Sequence, residues 1–339
     1  MSLENLILRE NHESKSKCNM KIFEKAAKII LQKCLGIRKN ENLLLVTDGS
    51  CNEFCNIIIH ECKNLKIDAA VLEILTDKHY QQEPAGFIGE MMAHADTILM
   101  LTQYPLSRTR ACQFACSKNS RIISLINTQP EILQRIIETK YSAVESVSQK
   151  LADIITIGHN LSIESKAGTT FEMSLSKIKG FSNSGIQTTP GKMSSLPAGE
   201  AYFTPTAQSC EGEIVIDGSM EFIGQIEQPI KLKISNGVIK RISGGAEAEQ
   251  LRKQLKRFGS SAKQIIGFGI GTNDSARLGN SVDEDKIALG SIHISFGNTY
   301  FFDKSGRLPN RIDAIVKHPT LTIDGKNILE NGQLMLLYH

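Results

Sequence analysis

The chain changes its hydrophobic period once. Between residues 20 and about 140, short continuous apolar runs alternate with apolar positions at helical spacing. ENLLLVTDG (41–49), AAVLEIL (69–75), ADTILML (95–101) and RIISLIN (121–127) read as buried strands. Phe23, Ala26, Ala27, Ile29, Ile30 and Cys34 fit one helix face, and 52–65, 85–94 and 106–117 read as further helices. Strands apolar on both faces and alternating with helices predict a parallel sheet covered on both sides.

From about residue 160 the texture is different. EIVIDGS (213–219), PIKLKISNGVIKRISGG (229–245), SIHISFGN (291–298) and TLTIDG (320–325) are β-type runs separated by Gly, Asn and Asp turns. Asn236-Gly237 between alternating runs predicts a two-residue hairpin. AEAEQLRKQLKRF (246–258) reads as one amphipathic helix whose basic face is solvated. The predicted fold is thus an N-terminal α/β domain with a parallel sheet, then a mixed or antiparallel β-rich domain carrying the site. The expected boundaries are a polar N-terminal segment over 1–19, the α/β domain over 20–150 and the β-rich domain over 151–339. A chain of 339 residues exceeds one ordinary core and accommodates two.

Charge removes several classes of partner. Thirty-nine basic and 36 acidic residues give a net charge of +3, so nothing favours nucleic acid or a membrane surface. The start, MSLENLILRENHESKSKCNM, lacks the basic flank and apolar core of a signal peptide, and no run approaches the roughly 18 apolar residues of a spanning helix. A cytoplasmic protein is expected. Cys51 with Cys55 and Cys112 with Cys116 lie one helical turn apart. That is not zinc-knuckle spacing, and such thiols read as small core residues.

Known nucleotide motifs are missing. Thr47-Asp48-Gly49-Ser50 follows the first strand in place of G-x-G-x-x-G, and no P-loop occurs. Ser107, Arg108, Thr109 and Arg110 open a helix, where either an anion or solvent can sit.

The candidate chemistry lies in the second half. LPAGEAYFTP (196–205) delivers Glu200 from a tight Pro-Ala-Gly entry onto a strand. His293 lies in GSIHISFGNTY, with Tyr300 seven residues on. Arg311 and Asp313 in NRIDAIVKHPTLTIDG share a strand face, so an arginine stands where H-x-D would make a metal clamp. Each has a plain reading too: Glu200 as a turn residue, His293 as an interior histidine, Tyr300 as core, and Arg311–Asp313 as a salt bridge.

Five segments in this order carry a resemblance: AGTTFEMSL (167–175), LPAGEAYFTP, GFGIGTN (267–273), DEDKIALGSIHISFGNTY (283–300) and RIDAIVKHPTLTIDG (311–325). SRTRACQFACSKNSRIISL (107–125) adds an echo in the α/β half. Over residues 20–335 the chain resembles the aminopeptidase T family of metallo-aminopeptidases, whose fold is also used by 2,5-dihydroxypyridine dioxygenases. The resemblance implies a homodimer with an enclosed cavity. It implies a two-metal site of two Glu, two His, a Tyr and an Asp. Glu200, His293, Tyr300 and Asp313 match four of these as metal ligands, while Gly267 and Arg311 stand at two replaced ligand positions. In the dioxygenases iron is expected on two His and the Asp, and Arg311 breaks that set as well.

Arg311 changes the charge balance. Two divalent cations beside a permanent guanidinium would be strongly unfavourable at low dielectric. The expectation is therefore at most one divalent metal per chain (zinc, cobalt, manganese or iron), or none, with Arg311 bonding Glu200, Asp313 or a substrate carboxylate. Glu284 in the acidic run 283–285 is a candidate to replace the missing Glu, its plain reading being a solvated loop. His318 is five residues from Asp313 and faces the other way on a continuous strand.

The leading reading is a metal-dependent, aminopeptidase-like hydrolase of short peptides with a degenerate active site, using Glu200 and Tyr300 in catalysis. The alternatives are an altered small-molecule enzyme on the same scaffold, a dioxygenase-like relative with a mononuclear site or with Arg311 anchoring an acidic or aromatic substrate, and a non-catalytic, metal-free binding or scaffold protein.

Overall fold

The structure, a computed structural model, describes residues 18–75, 83–103, 106–107, 109–126, 128–206, 208–297 and 311–335. In chain order, a helix over 18–28 (α1) runs into a π-helical turn, Ile29–Cys34. Strands β1 (Asn42–Thr47), β2 (Asp68–Glu73), β3 (Thr97–Thr102) and β4 (Arg121–Ile126) then alternate with α2 (Asn52–Leu65), α3 (Gly86–Ala93) and α4 (Arg110–Ser117). Helices α5 (Pro130–Glu138) and α6 (Tyr141–Ile157) follow.

The remainder is mostly β. The strands are β5 (Asn160–Glu164), β6 (Thr170–Ser174), β7 (Phe181–Asn183), β8 (Met193–Leu196), β9 (Glu200–Phe203), β10 (Cys210–Ile216), β11 (Ser219–Met220), β12 (Gly224–Gln225), β13 (Ile230–Ser235) and β14 (Val238–Ser243). After α7 (Ala246–Phe258) come β15 (Ile265–Gly271), the short α8 (Val282–Asp285), β16 (Ile292–Gly297), β17 (Arg311–Val316), β18 (Thr320–Ile323), β19 (Lys326–Glu330) and β20 (Gln333–Leu334).

Two compact units result. One comprises residues 1–138 with 185–197, the other 139–184 with 198–339. They differ from the sequential blocks 20–150 and 151–339 read from texture, because the chain re-enters the first unit to lay down β8 and because α6 belongs to the second. In the first unit the sheet order is β2-β1-β3-β4-β8, with every pair parallel. Leu45, Val46, Ile98, Leu99, Met100, Ile122 and Ile123 are fully buried, as strands covered on both faces require.

The second unit pairs an eight-stranded sheet, β14-β13-β10-β6-β5-β18-β19-β20, with a seven-stranded one, β12-β11-β17-β16-β15-β9-β7. Ala201, Phe203, Phe268, Ile270, Ile292, Ile294, Phe296, Ile312 and Ala314 of the seven-stranded sheet join Leu161, Ile163, Phe171, Ile214 and Leu232 of the other in one core. Alternate residues of a strand point to opposite faces. Filling one face of the seven-stranded sheet with this core therefore commits residues 200, 202, 267, 269, 293, 295, 311 and 313 to the opposite face. The β13–β14 hairpin closes through Asn236 and Gly237, both at positive φ (52° and 69°), the conformation that a two-residue turn demands. Among the described residues no helix is long and apolar enough to cross a membrane.

Candidate active site

The polar face of the seven-stranded sheet gathers the described candidates. Register places Glu200 opposite Gly271, His293 opposite both Gly269 and Ile315, Ser295 opposite Gly267 and Asp313, and Arg311 opposite Gly297. Directly paired residues share a face, so Glu200, His293, Arg311, Asp313 and Gly267 are brought together. Tyr300 lies outside the described residues.

Glu200 is aimed by its entry and by the loop after β15. Asn273 donates from Nδ2 to the Ala198 carbonyl at 2.7 Å, and the Thr272 amide donates to the Gly199 carbonyl at 2.9 Å. Gly199 has φ 140°, and a β-carbon on it would stand 2.6 Å from Asn273 Cβ. Glycine is required there on both counts. The Glu200 carboxylate takes a 3.3 Å hydrogen bond from Asn183 Nδ2 and faces His293 Nε2 at 3.5 Å.

His293 is 1% exposed. Burial pushes its pKa below the ordinary 6.5, outweighing the pull of Glu200 and Asp313, with Arg311 and Lys286 adding to the lowering. The ring is therefore neutral at neutral pH. Its Nε2 faces a carboxylate, so the proton belongs on Nε2, and buried Nδ1 keeps a lone pair with no hydrogen-bond partner among the described residues.

Arg311 Nε donates to Asp313 Oδ1 at 2.6 Å, and Ser295 Oγ donates to the same oxygen at 2.6 Å. The terminal nitrogens of Arg311 make no hydrogen bond among the described residues. A β-carbon on Gly267 would lie 3.0 Å from Ser295 Oγ and 3.6 Å from Arg311 Nη2. The two departures from the resemblance are thus spatial neighbours: glycine at 267 leaves the room that the guanidinium overlies.

Sequence reasoning missed two contributors, Lys286 and Glu221. Lys286 is held above its ordinary value although burial opposes it, because Asp283, Asp313 and Glu200 favour its charge. Arg311 is likewise held up against burial by Asp313, Glu200 and Glu221. Glu221 Oε2 accepts the Asp313 amide at 3.2 Å, and burial with the adjacent Asp313 pushes the Glu221 carboxyl up to about 8. The signals available were the acidic neighbours of Lys286 and an isolated acid after the short strand β11; neither is specific in a sequence.

These groups were tested against the metal centres implied by the resemblance. The carboxylates of Glu200 and Asp313 already face a fixed cation, Arg311, and a second, Lys286, whose own ion pair is with Asp283 at 3.4 Å. Among the described residues no group of three or more His, Cys, Asp or Glu is arranged to hold a metal ion. The donor set fits neither a two-metal centre nor two histidines with one carboxylate, since a guanidinium occupies the second histidine position.

Other expectations resolve plainly. Glu284 is not solvated: it is 2% exposed and accepts from the Arg277 amide and Asn280 Nδ2, both at 2.9 Å. His318 is exposed at positive φ just beyond β17. At the start of α4 the anion is the chain's own Glu83, which accepts the Arg110 and Ala111 amides at 2.8 and 2.9 Å. Cys51, Cys55 and Cys112 are buried free thiols.

Comparison with known proteins separates the two families named by the motifs. The sequence model of 2,5-dihydroxypyridine 5,6-dioxygenase matches residues 55–336. The curated 2,5-dihydroxypyridine 5,6-dioxygenase of Pseudomonas putida KT2440 is 29% identical over 159 residues, a stretch spanning 45% of this chain and 45%, about half, of that relative. The solved structure of 2,5-dihydroxypyridine dioxygenase from the same organism shares the fold with a TM-score of 0.81 at 19% identity, covering 94% of this chain and 97% of that one. Wild-type AmpT from Thermus thermophilus gives a TM-score of 0.66 at 15% identity, covering 93% and 99%. The likeness to AmpT is one of fold. With most of its length matched, the chain belongs to the 2,5-dihydroxypyridine 5,6-dioxygenase family.

Proposed function

We propose that the chain is an enzyme acting on a small organic anion by general acid–base chemistry, with at most one divalent metal per chain. The carrying observation is the Arg311–Asp313 pair on the site face, at 2.6 Å, with the arginine's terminal nitrogens unengaged among the described residues. Those nitrogens form a planar fork suited to a carboxylate. His293 then serves as the base through Nδ1, and Glu200 stabilises the imidazolium formed when His293 takes a proton. The glycines of β15 let the imidazole and guanidinium overlie the strand. No step is assigned to a metal, because the described donors fit neither metal centre that the resemblance implies.

Elemental analysis of protein purified without chelators, then incubated with zinc, cobalt, manganese or iron(II), tests this reading. One metal or none per chain is expected. Two per chain, lost together in Glu200→Ala, would overturn it.

Hydrolysis of short peptides is the second reading. Its support is the fold shared with AmpT and the common sheet face of Glu200, His293 and Asp313. Release of the N-terminal residue from di- and tripeptides, dependent on added metal, would be its mark. A cytoplasmic homodimer accompanies either reading; light scattering at micromolar concentration checks the dimer.

A further inference from the structure

Tyr202 lies on the site face two residues from Glu200, directly opposite Gly269. Phe181 is its partner on the edge strand β7, and the rings stack at 5.6 Å between centroids and 27° between planes. Both are large apolar side chains left open, Phe181 at 43% and Tyr202 at 39% exposure. Lys179 Nζ lies 5.5 Å from the Phe181 ring centroid. On the β15 side of Tyr202 the strand presents only glycine on this face, at 267, 269 and 271. The next side chains in that direction are His293, with Nδ1 unpartnered among the described residues, and Arg311, which overlies Gly267.

The spacing is specific. Gly267 is the diagonal neighbour of Tyr202 across β15 and β9, which separates their positions by about 7–8 Å. The His293 imidazole overlies Gly269, which pairs with Tyr202, and the Arg311 guanidinium overlies Gly267, so the phenol ring, the imidazole and the guanidinium border one stretch of this face. A stacked aromatic pair with an open flank takes a third ring by offset or edge contact. The Arg311 fork takes two carboxylate oxygens in its own plane. Aliphatic acids would satisfy only the fork, and neutral aromatics only the wall.

We propose that this face binds a small planar aromatic carboxylate, its carboxylate on the terminal nitrogens of Arg311 and its ring against Tyr202 and Phe181, beside His293. This rests on the small-anion reading above and supplies its substrate class.

Calorimetric titration of the full chain with benzoate, cyclohexanecarboxylate and benzyl alcohol tests it, with metal content measured on the same samples. Benzoate is expected to bind at least tenfold more tightly than either comparator. Phe181→Ala, an exposed change that leaves the core intact, should remove the preference over cyclohexanecarboxylate. Arg311→Lys, which keeps the charge and loses the fork, should weaken benzoate at least tenfold. Equal binding of benzoate and cyclohexanecarboxylate, or no binding of benzoate with one metal or none present, overturns the aromatic-acid assignment while leaving the small-anion reading standing. Two metals per chain would instead bring down the reading beneath it.

Discussion

The nitrogen-bearing edge of the His293 ring stands over the backbone of Gly269, so that a β-carbon at 269 would fall 2.6 Å from Nε2 and 2.9 Å from Nδ1. The imidazole keeps its place because its cross-strand partner has no side chain. Gly269→Ala should therefore displace His293, lower stability by about 1–3 kcal/mol through overpacking, and abolish anion-dependent turnover. Thermal unfolding and turnover measured on the same preparation check both effects.

Glu200 is partly exposed and reaches His293 from the start of β9. Glu200→Gln keeps its shape and its bond from Asn183 while removing the charge that would stabilise an imidazolium. Turnover should fall by about 100-fold or more, with the melting temperature nearly unchanged. A large loss of stability with turnover intact would contradict the pairing.

Arg311→His replaces a fixed cation with a neutral donor next to Asp313 and on the face of His293. Metal uptake should rise by one equivalent over the wild-type chain. Cobalt(II) titration, followed by visible absorption and elemental analysis, reads this without any assay of activity.

In the first unit, Arg121 is buried on β4 and donates to both carboxylate oxygens of Glu41, at 2.8 and 2.6 Å. Its Nε has no hydrogen-bond partner among the described residues. Glu41→Ala strands a buried guanidinium and should cost about 3 kcal/mol. The Arg121 hydrogen bond holds Glu41 below its ordinary 4.5, so the folded state binds its proton less readily than the unfolded chain does. This contribution is complete above pH 4.5 and is lost as pH falls through the lowered value. Urea midpoints from pH 7 to pH 3 should drop more steeply for the wild type than for Glu41→Gln.

Burial pushes the thiol of Cys112 up to about 12 and that of Cys62 to about 11, whereas Cys18 is exposed. Iodoacetamide at pH 8 should modify Cys18 in the native protein and spare Cys62 and Cys112 until denaturant is added. Peptide mapping by mass spectrometry distinguishes these sites.

Strands β1, β3 and β4 of the first unit were legible because burial on both faces leaves an unbroken apolar run; β2 was legible as a strand but not as a buried one, because it is the edge of the sheet and lies mostly exposed. The Asn236-Gly237 hairpin was legible because its turn chemistry is local. β8 was not: Met193-Ser194-Ser195-Leu196 is short and half polar, and only its nonlocal pairing with β4 makes it a strand. β15 hid for a related reason. Gly267, Gly269 and Gly271 erase one face of its pattern, so GFGIG reads as a loop although all seven strand residues are buried. The positions of Glu200, His293 and Asp313 could be read from motifs, but the meaning of Arg311 could not. It depends on Gly267, 44 residues upstream in sequence and adjacent across the sheet. Glu284 was misread because its burial follows from amide donors of its own loop, which no residue pattern announces.

The return of the chain through residues 185–197 to lay down β8 has a genetic consequence. A gene fragment ending at residue 150 would encode a parallel sheet without its last strand, and the complementary fragment would carry that strand with no sheet to join. Neither unit can be exchanged by recombination at a single junction. A transplant of the first requires 1–138 and 185–197 to travel together, which takes junctions on both sides of the intervening segment.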